Sequence, residues 1–538
     1  MTNESPPSEL GVTRTELIGL AAILALAAVL RLIDLPTRGT WDADQGHDML
    51  VLRDLVLNGR IPLLGPPTSI GDFHHGVLYY YLLAPVAAVS GADPVAVTAA
   101  IALGGTLAVA VTWWLARAIG GPVAGLIAGF LMAISASAVE ESTFIWNPNL
   151  IALSSSIALA AAWRAWTSGR VRWWVVAGAG AVVTMHCHVL GFVLTPVIAG
   201  LLVADIRRRR AADGSTAPGS QRMGSPGGSR PAIRAGLAWL AIAALSYVPL
   251  AIHELTSDGS ELRAAVGFLT AGGTADVALP VRLPIVGLRV LAWPLTGLIT
   301  AAPILALVAA ALVVGLTIWR AFVATGRERL GVRWLGLGLA WTVVALALGA
   351  SSLATVVPGL PNDHYHAFAD PIVVVLVAIG LAALVRGRVA SEQRASPGAI
   401  LAVVAVVALT AWNLAHEPPA MTPDGGWPAA AAAGDRILRS LPEGQTEIVS
   451  LPVAKGPDAV RFPLVRAGAG LPSLVAPTAA PASGVVARIV LCDELFRSTI
   501  GAACGGAAED ALTASVGLRL VDRFEAAPGR WVSVYVPG

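Results

Sequence analysis

Apolar residues run along this chain in blocks, and most of the blocks are about twenty residues long. A helix of about 20 apolar residues spans the roughly 30 Å hydrocarbon core of a bilayer. Such blocks lie near residues 15–34, 94–116, 121–139, 149–167, 172–187, 188–205, 235–253, 290–319, 334–356, 370–386 and 398–415, which predicts about eleven transmembrane helices. Residues 76–90, GVLYYYLLAPVAAVS, are also apolar. At about fifteen residues with an internal proline they suit a helix lying in the interface, its tyrosines at headgroup level. After Ala415 the pattern changes to short alternating runs, TEIVSLPV, ARIVLCDE, LRLVDRFEA and RWVSVYVPG, separated by Gly/Pro turns, as expected of strands. The expected fold is an all-α polytopic membrane domain over 1–416, with interfacial helices in a first external loop at 35–93, and a small external α/β domain over 417–538.

Composition agrees: hydrophobic residues make up 56% of the 538 and charged residues 13%, with mean hydropathy +0.71, against roughly 25% charged residues in a soluble domain. The net charge of +2 is uninformative, because in a membrane protein the placement of cations matters more than their sum. Lys455 is the only lysine, a bias in keeping with GC-rich coding. Arginines gather in alternate loops, at Arg14, Arg117, Arg164 to Arg172, Arg207 to Arg210, Arg320 to Arg333 and Arg386 to Arg394, whereas 140–148, 186–190 and 357–369 carry no Lys or Arg. The positive-inside bias then places the N-terminus in the cytoplasm and the first loop and C-terminal domain outside it, in a multi-pass protein of the cell membrane. The segment 206–234, with its Gly/Ser/Pro-rich run from 211 to 231, reads as a cytoplasmic linker. No small-residue cleavage site follows Leu17–Ile33, so an uncleaved first helix is expected. Three cysteines are too few for a disulfide framework or a zinc site. Cys187 reads as a packed small hydrophobe, and in an external domain Cys492 and Cys504 are expected to pair.

With this topology the unusual polar groups all fall on the external side. The first loop holds Asp42, Asp44, His47 and Asp48, then Asp72, His74 and His75. EESTFIWNPN supplies Glu140, Glu141, Asn147 and Asn149, MHCHVLG supplies His186 and His188, and PNDHYHAFAD supplies Asp363, His364, Tyr365 and His366. Seven of the nine histidines are on this side. Any one of them could belong to a solvated loop, but a convergence of ionisable groups at a membrane surface marks a substrate pathway.

DQGHDMLVLRDLVLNGRIPLLGPPTSIGDFHHGVLYYYLLAP, followed by a span, a Gly/Arg turn and STFIWNPNLIAL, resembles bacterial membrane glycosyltransferases of the GT-C type, above all the protein-mannosyltransferase and aminoarabinose-transferase relatives. The resemblance covers roughly residues 15–390. It implies an external cavity surrounded by interfacial helices, a donor sugar carried on a polyprenyl phosphate, and catalysis by an acidic residue shortly after the first helix. The matching stretch is DADQ, with Asp44 at the family's Asp and Gln45 where Glu is common, so Asp44 is the expected catalytic residue and Asp42 the second. HHGV stands where relatives show two prolines, at His74 and His75. The expected acceptor is a cell-envelope glycan, lipid or protein; membrane lipids are the other partners, and nucleic acid is not one.

The chemistry is consistent with one base. A lipid phosphate is a good leaving group, so the reaction needs a carboxylate near the acceptor hydroxyl and cations or hydrogen-bond donors near the departing phosphate. Direct displacement inverts the anomeric centre. Arg263, Arg282 and Arg289 are the external phosphate candidates. The expected substrate-binding set is His47, His74, His75, Tyr80, Asn147, Asn149, His186, His188, Arg289, His364, Tyr365 and His366. A divalent cation (Mg or Mn) would have Asp42 and Asp44 as ligands, but two carboxylates without a third ligand make a weak site. Helical spacing starts an interfacial helix near Asp44, with Asp44 as its N-cap and Met49, Leu52, Leu55 and Val56 on a face that could lie on the membrane. The alternative is a transporter or flippase for a lipid-linked sugar, with the same residues serving proton coupling. Against it, the chain shows no internal repeat and its charges lie at one surface rather than mid-span.

Overall fold

The computed structural model describes residues 11–68, 73–214, 228–270, 277–355, 363–386, 396–477, 479–513 and 517–538. Most of the 211–231 linker, Asp72 and the start of the 357–369 loop lie outside the described residues.

Ten helices among the described residues are long and apolar enough to cross a membrane. Two more expected spans form shorter helices, Pro122–Ile134 and Arg172–Cys187. The expected span at 290–319 is not one helix. It breaks into Leu279–Thr296 and Pro303–Val323, because Pro294 weakens the end of the first, Gly297 turns the chain at φ 71° and Pro303 can only begin a helix. The Leu279–Thr296 helix is held at one end of the bundle. Its Arg289 donates to the carbonyls of Leu353 and Thr355, Ser135 donates to Pro294 O, and Trp412 and Asn413 donate to Thr296 O and Leu295 O. These partners all belong to the arginine-poor end of the bundle. The other nine and the two shorter helices correspond to the eleven expected apolar blocks. The third span also breaks at Ser135, whose Oγ accepts from Ala138 N and starts the short helix Ala136–Glu140.

The arginine-rich end is tied by ion pairs between turns. Arg117 Nε lies 2.8 Å from Glu16 Oε1, Arg320 Nε 2.8 Å from Glu328 Oε1, and Arg209 Nε 2.8 Å from Asp205 Oδ2. At the other end the first loop forms two helices, Ala43–Asn58 and Leu78–Ser90. The second is 13 residues long, about 20 Å at 1.5 Å per residue, too short to span, as expected. The first departs from expectation twice. Asp42, not Asp44, is the N-cap, completing a reciprocal capping box with Gln45, so Asp44 sits inside the first turn. The apolar face does not lie on the membrane: Met49 and Leu52 are buried with Tyr79, Tyr80, Leu83 and, from the C-terminal domain, Phe462.

After the last span the chain forms a five-stranded sheet, with β1 at Gln445–Leu451, β2 at Ser473–Leu474, β3 at Val485–Asp493, β4 at Leu518–Ala527 and β5 at Arg530–Pro537. The order is β2-β1-β3-β5-β4, parallel through β3 and antiparallel beyond it. Helices Gly426–Ser440 and Asp458–Arg466 cover one face, packing Ile437 and Leu464 on Ile448, Ile489 and Val532. Cys492 and Cys504 form the expected disulfide. The α/β unit docks on the first loop. Trp41 packs against Trp427 and Phe462, with ring centroids 4.6 and 5.7 Å away, and its indole N–H donates to Ala459 O at 2.9 Å. Gly46 lies so close to the Asp458 carbonyl that a Cβ there would come within 1.9 Å.

Candidate active site

The 43–58 helix carries three carboxylates near its start, and the fold treats each differently. Both oxygens of Asp42 are bound by cations of the C-terminal domain: Arg530 Nη2 donates to Oδ1 at 2.7 Å and Lys455 Nζ donates to Oδ2. Asp48 is buried and accepts from the hydroxyls of Tyr79 and Tyr80, each at 2.8 Å. Burial, assisted by the charge of Asp44, pushes the Asp48 carboxyl up to about 7 against the pull of His47 and the two tyrosines. Asp44 is exposed and has no ion-pair partner among the described residues. The indole of Trp146 hydrogen-bonds it. The protein around it, then Asp42, raise the Asp44 carboxyl above the usual range, while Lys455 and His47 pull it down.

His47 is one turn on and pairs through Nδ1 with Asp458 Oδ2 at 3.1 Å. Burial opposes its protonation, but the bond to Asp458 and the charges of Asp48 and Asp44 outweigh that and hold the imidazole above its ordinary value. Gln45 crosses to the neighbouring loop, where its Nε2 donates to Ile145 O at 2.9 Å. The residue that replaces the common Glu therefore both caps the helix and fixes the strip that ends in Trp146.

From Trp146 a wall of rings leads away. Its ring centroid lies 4.1 Å from that of His364, which lies 4.3 Å from Tyr365 and 5.9 Å from His188. His188 stacks on Tyr365 at 4.7 Å and meets His75 at 4.8 Å. Beyond His75 is a cavity of about 270 Å³ lined by His74, His75, His186, Ser246, Tyr247 and apolar side chains including Leu63, Phe192 and Leu250. His186 bonds Ser246 Oγ at 2.8 Å and stacks on Tyr247. His75 accepts from Val189 N, and burial and the neighbouring His74 push its imidazole down to about 4. His74 is held by Glu261, through its backbone N–H at 2.7 Å and its Nδ1 at 2.8 Å.

Several expected binding residues serve the scaffold instead. Arg289 is fully buried and bound to both oxygens of Asp363, at 2.9 and 2.7 Å, while His366 holds Asp363 from the other side at 3.0 Å. A guanidinium engaged in this way does not reach a phosphate. Tyr80 is committed to Asp48, Asn147 donates to Cys187 O, and Asn149 donates to Phe144 O at 2.8 Å. Arg263 is exposed and Arg282 half-buried. Glu141 is half-buried with one enclosed oxygen unpartnered, and burial raises its carboxyl. Of the two ligands expected for a divalent cation, Asp42 is bound by two cationic side chains, and no group of three or more His, Cys, Asp or Glu side chains that could hold a metal occurs among the described residues. Sequence reasoning missed Lys455, Arg530 and Asp458. The signal available for the first was its standing as the only lysine.

Residues 74–216 match the family model of dolichyl-phosphate-mannose-protein mannosyltransferases. ArnT from Cupriavidus metallidurans, solved in the apo state and bound to undecaprenyl phosphate, superimposes with TM-scores of 0.58 and 0.59 at 13% identity, over 97% of this chain and 98% of that one. The chain has a GT-C type fold. The GT-C fold also relates it to the Archaeoglobus fulgidus oligosaccharyltransferase tethered with an acceptor peptide, at TM-score 0.51 and 15% identity over 97% of this chain and 74% of that one. No curated protein matched. In this GT-C chain the family match begins at His74, at the edge of the ring-lined cavity, and runs through Trp146 and His188.

Proposed function

We propose that this chain is a membrane glycosyltransferase that moves a sugar from a polyprenyl phosphate to an acceptor hydroxyl, with inversion and with Asp44 as the general base. The reaction takes place on the extracytoplasmic face, the orientation that the arginine-rich turns favour. The observation that carries the reading is the difference among three neighbouring carboxylates: Asp42 is neutralised by two cations, Asp48 is buried under two tyrosines, and Asp44 is open, unpaired and hydrogen-bonded only by an indole. A base must reach a proton on an incoming hydroxyl, and of the three only Asp44 can.

The relative bound to undecaprenyl phosphate supports a lipid-phosphate donor. The cavity around His75, His186 and Ser246 combines hydrogen-bonding groups with an apolar lining, which suits a phosphate carried on a prenyl chain. The ring wall from His75 to Trp146 offers flat faces on which a sugar packs. The test uses the full chain in nanodiscs with a panel of undecaprenyl-phosphate sugars, scoring release of undecaprenyl phosphate in the presence of a hydroxyl acceptor. Asp44→Asn is expected to lower release by a factor of about 100 to 10,000 with thermal stability nearly unchanged. Retention of more than about a tenth of the wild-type rate would overturn Asp44 as base.

A further inference from the structure

We propose that Lys455 and Arg530 of the C-terminal domain are positioning residues for Asp44: by gripping Asp42 they fix the first turn of the 43–58 helix and cancel the negative charge two residues from the base. This rests on the reading of Asp44 as base.

The two cations leave the same end of the sheet. Lys455 follows the last residues of β1, and Arg530 begins β5. β3 aligns those two strand ends, with Leu451 opposite Cys492 and Cys492 opposite Trp531. The domain therefore presents Lys455 and Arg530 as a pair, and the Asp42 carboxylate accepts from both. Arg530 also donates to Trp41 O at 2.9 Å, so the residue before the cap is held as well. Asp42 is the N-cap, and its carboxylate and backbone set where the helix starts. Asp44 is two residues on, and its direction follows from that start.

Such partly open ion pairs add little to overall stability. Side-chain exposures of 29% for Asp42, 24% for Lys455 and 14% for Arg530 make the effect local. The groups facing Asp44 are Asp42, His47 and Asp48 from its own helix, Lys455 and Asp458 from the segment after β1, with Asp458 itself paired to Arg461, and Arg530 from β5. Without Lys455 only Arg530 offsets the charge of Asp42, and the loss of a cation that acts on Asp44 would favour its protonation and take the base out of its working form.

The test compares Lys455→Met, Lys455→Arg, Arg530→Met and Asp42→Asn in the full chain, using the undecaprenyl-phosphate sugar panel together with an activity-free readout. That readout is pH-dependent carbodiimide labelling of Asp44, which needs the protonated carboxyl. Lys455→Met is expected to move the acidic limb of the rate profile up by about one pH unit, and so to lower release about tenfold at pH values on that limb, since one unit of pKa is a tenfold change in protonation. Asp44 labelling should move by the same amount. Lys455→Arg should restore most of the rate. In an Asp42→Asn background, removing Lys455 should cost less than about threefold, because the charge to be cancelled is gone. An unshifted rate profile and unshifted labelling in both Lys455→Met and Arg530→Met, with Asp44→Asn inactive, would overturn the clamp and leave the base intact. An active Asp44→Asn would overturn the base, and the clamp with it.

Discussion

Where the 43–58 helix meets the C-terminal domain, one wall of the site is made of charges in pairs: Asp42 with Lys455 and Arg530, and His47 with Asp458. A second wall, drawn from residues 75, 146, 188, 364 and 365, is made of rings whose centroids lie 4 to 6 Å apart, His188 and Tyr365 stacked and the other pairs tilted or edge-on. Behind it lies one buried guanidinium–carboxylate pair, Arg289 with Asp363. Partly solvated ion pairs between distant segments set geometry and charge at little energetic gain, whereas packed rings and a buried pair resist displacement. The first wall is suited to holding a reactive group in its working state, and the second to giving a ligand a fixed surface.

The comparison can be broken hardest at the buried pair. Arg289→Met strands Asp363 in the interior and is expected to destabilise the chain by about 3–5 kcal/mol, read as loss of thermal stability in detergent. A change no larger than that of an exposed pair would mean that water reaches this site. Gly46→Ala tests the first wall, because its Cβ would strike the Asp458 backbone and overpacking costs about 1–3 kcal/mol. Limited proteolysis should then release the C-terminal domain while the helical bundle stays intact. Tyr80→Phe removes one of the two hydroxyls on Asp48 and should cost about 1 kcal/mol in chemical denaturation.

The last test concerns pH, and Asp48 and His75 respond with opposite sign. The Asp48 carboxyl is raised to about 7 in the folded chain, from about 4 unfolded. Its contribution is present at low pH and fades as pH rises through about 7. His75 is lowered to about 4, from about 6.5 unfolded. Its contribution is present above about 6.5 and is lost as pH falls towards 4. Replacing His75 with Gln removes one arm, so the melting temperature of the variant should gain on the wild type as pH falls from about 6.5 to 4, and the difference should be flat above that window. A constant difference across the whole range would show that His75 remains solvated.

The bundle was legible because twenty-residue apolar runs are long-range signals that no local turn obscures. The break at 297–302 was not, because Pro294, Gly297 and Pro303 are themselves apolar or small and leave the hydropathy of the run unchanged. The capping box could have been read from Asp42 and Gln45, three residues apart; attention to the family's acidic motif placed the cap two residues late. The histidines were grouped correctly at one end of the bundle, but their division into cavity lining, ring wall and scaffold depended on partners such as Ser246, Trp146 and Asp363. No local pattern links those residues to them. Lys455 and Asp458 meet the first loop across more than 400 positions, a separation at which sequence periodicity carries no information.

That separation has a consequence for the making of the protein. Asp42 and Arg530 are 488 positions apart, so at about 5–20 residues per second roughly 25 to 100 s pass between the synthesis of the one and of the other. During that interval most of the helical bundle is already available to assemble, while the loop bearing Asp44 still lacks its clamp. A nascent chain therefore holds most of its helices before the contacts of Lys455 and Arg530 with Asp42 can form, and the first loop is fastened only once β5 has been made.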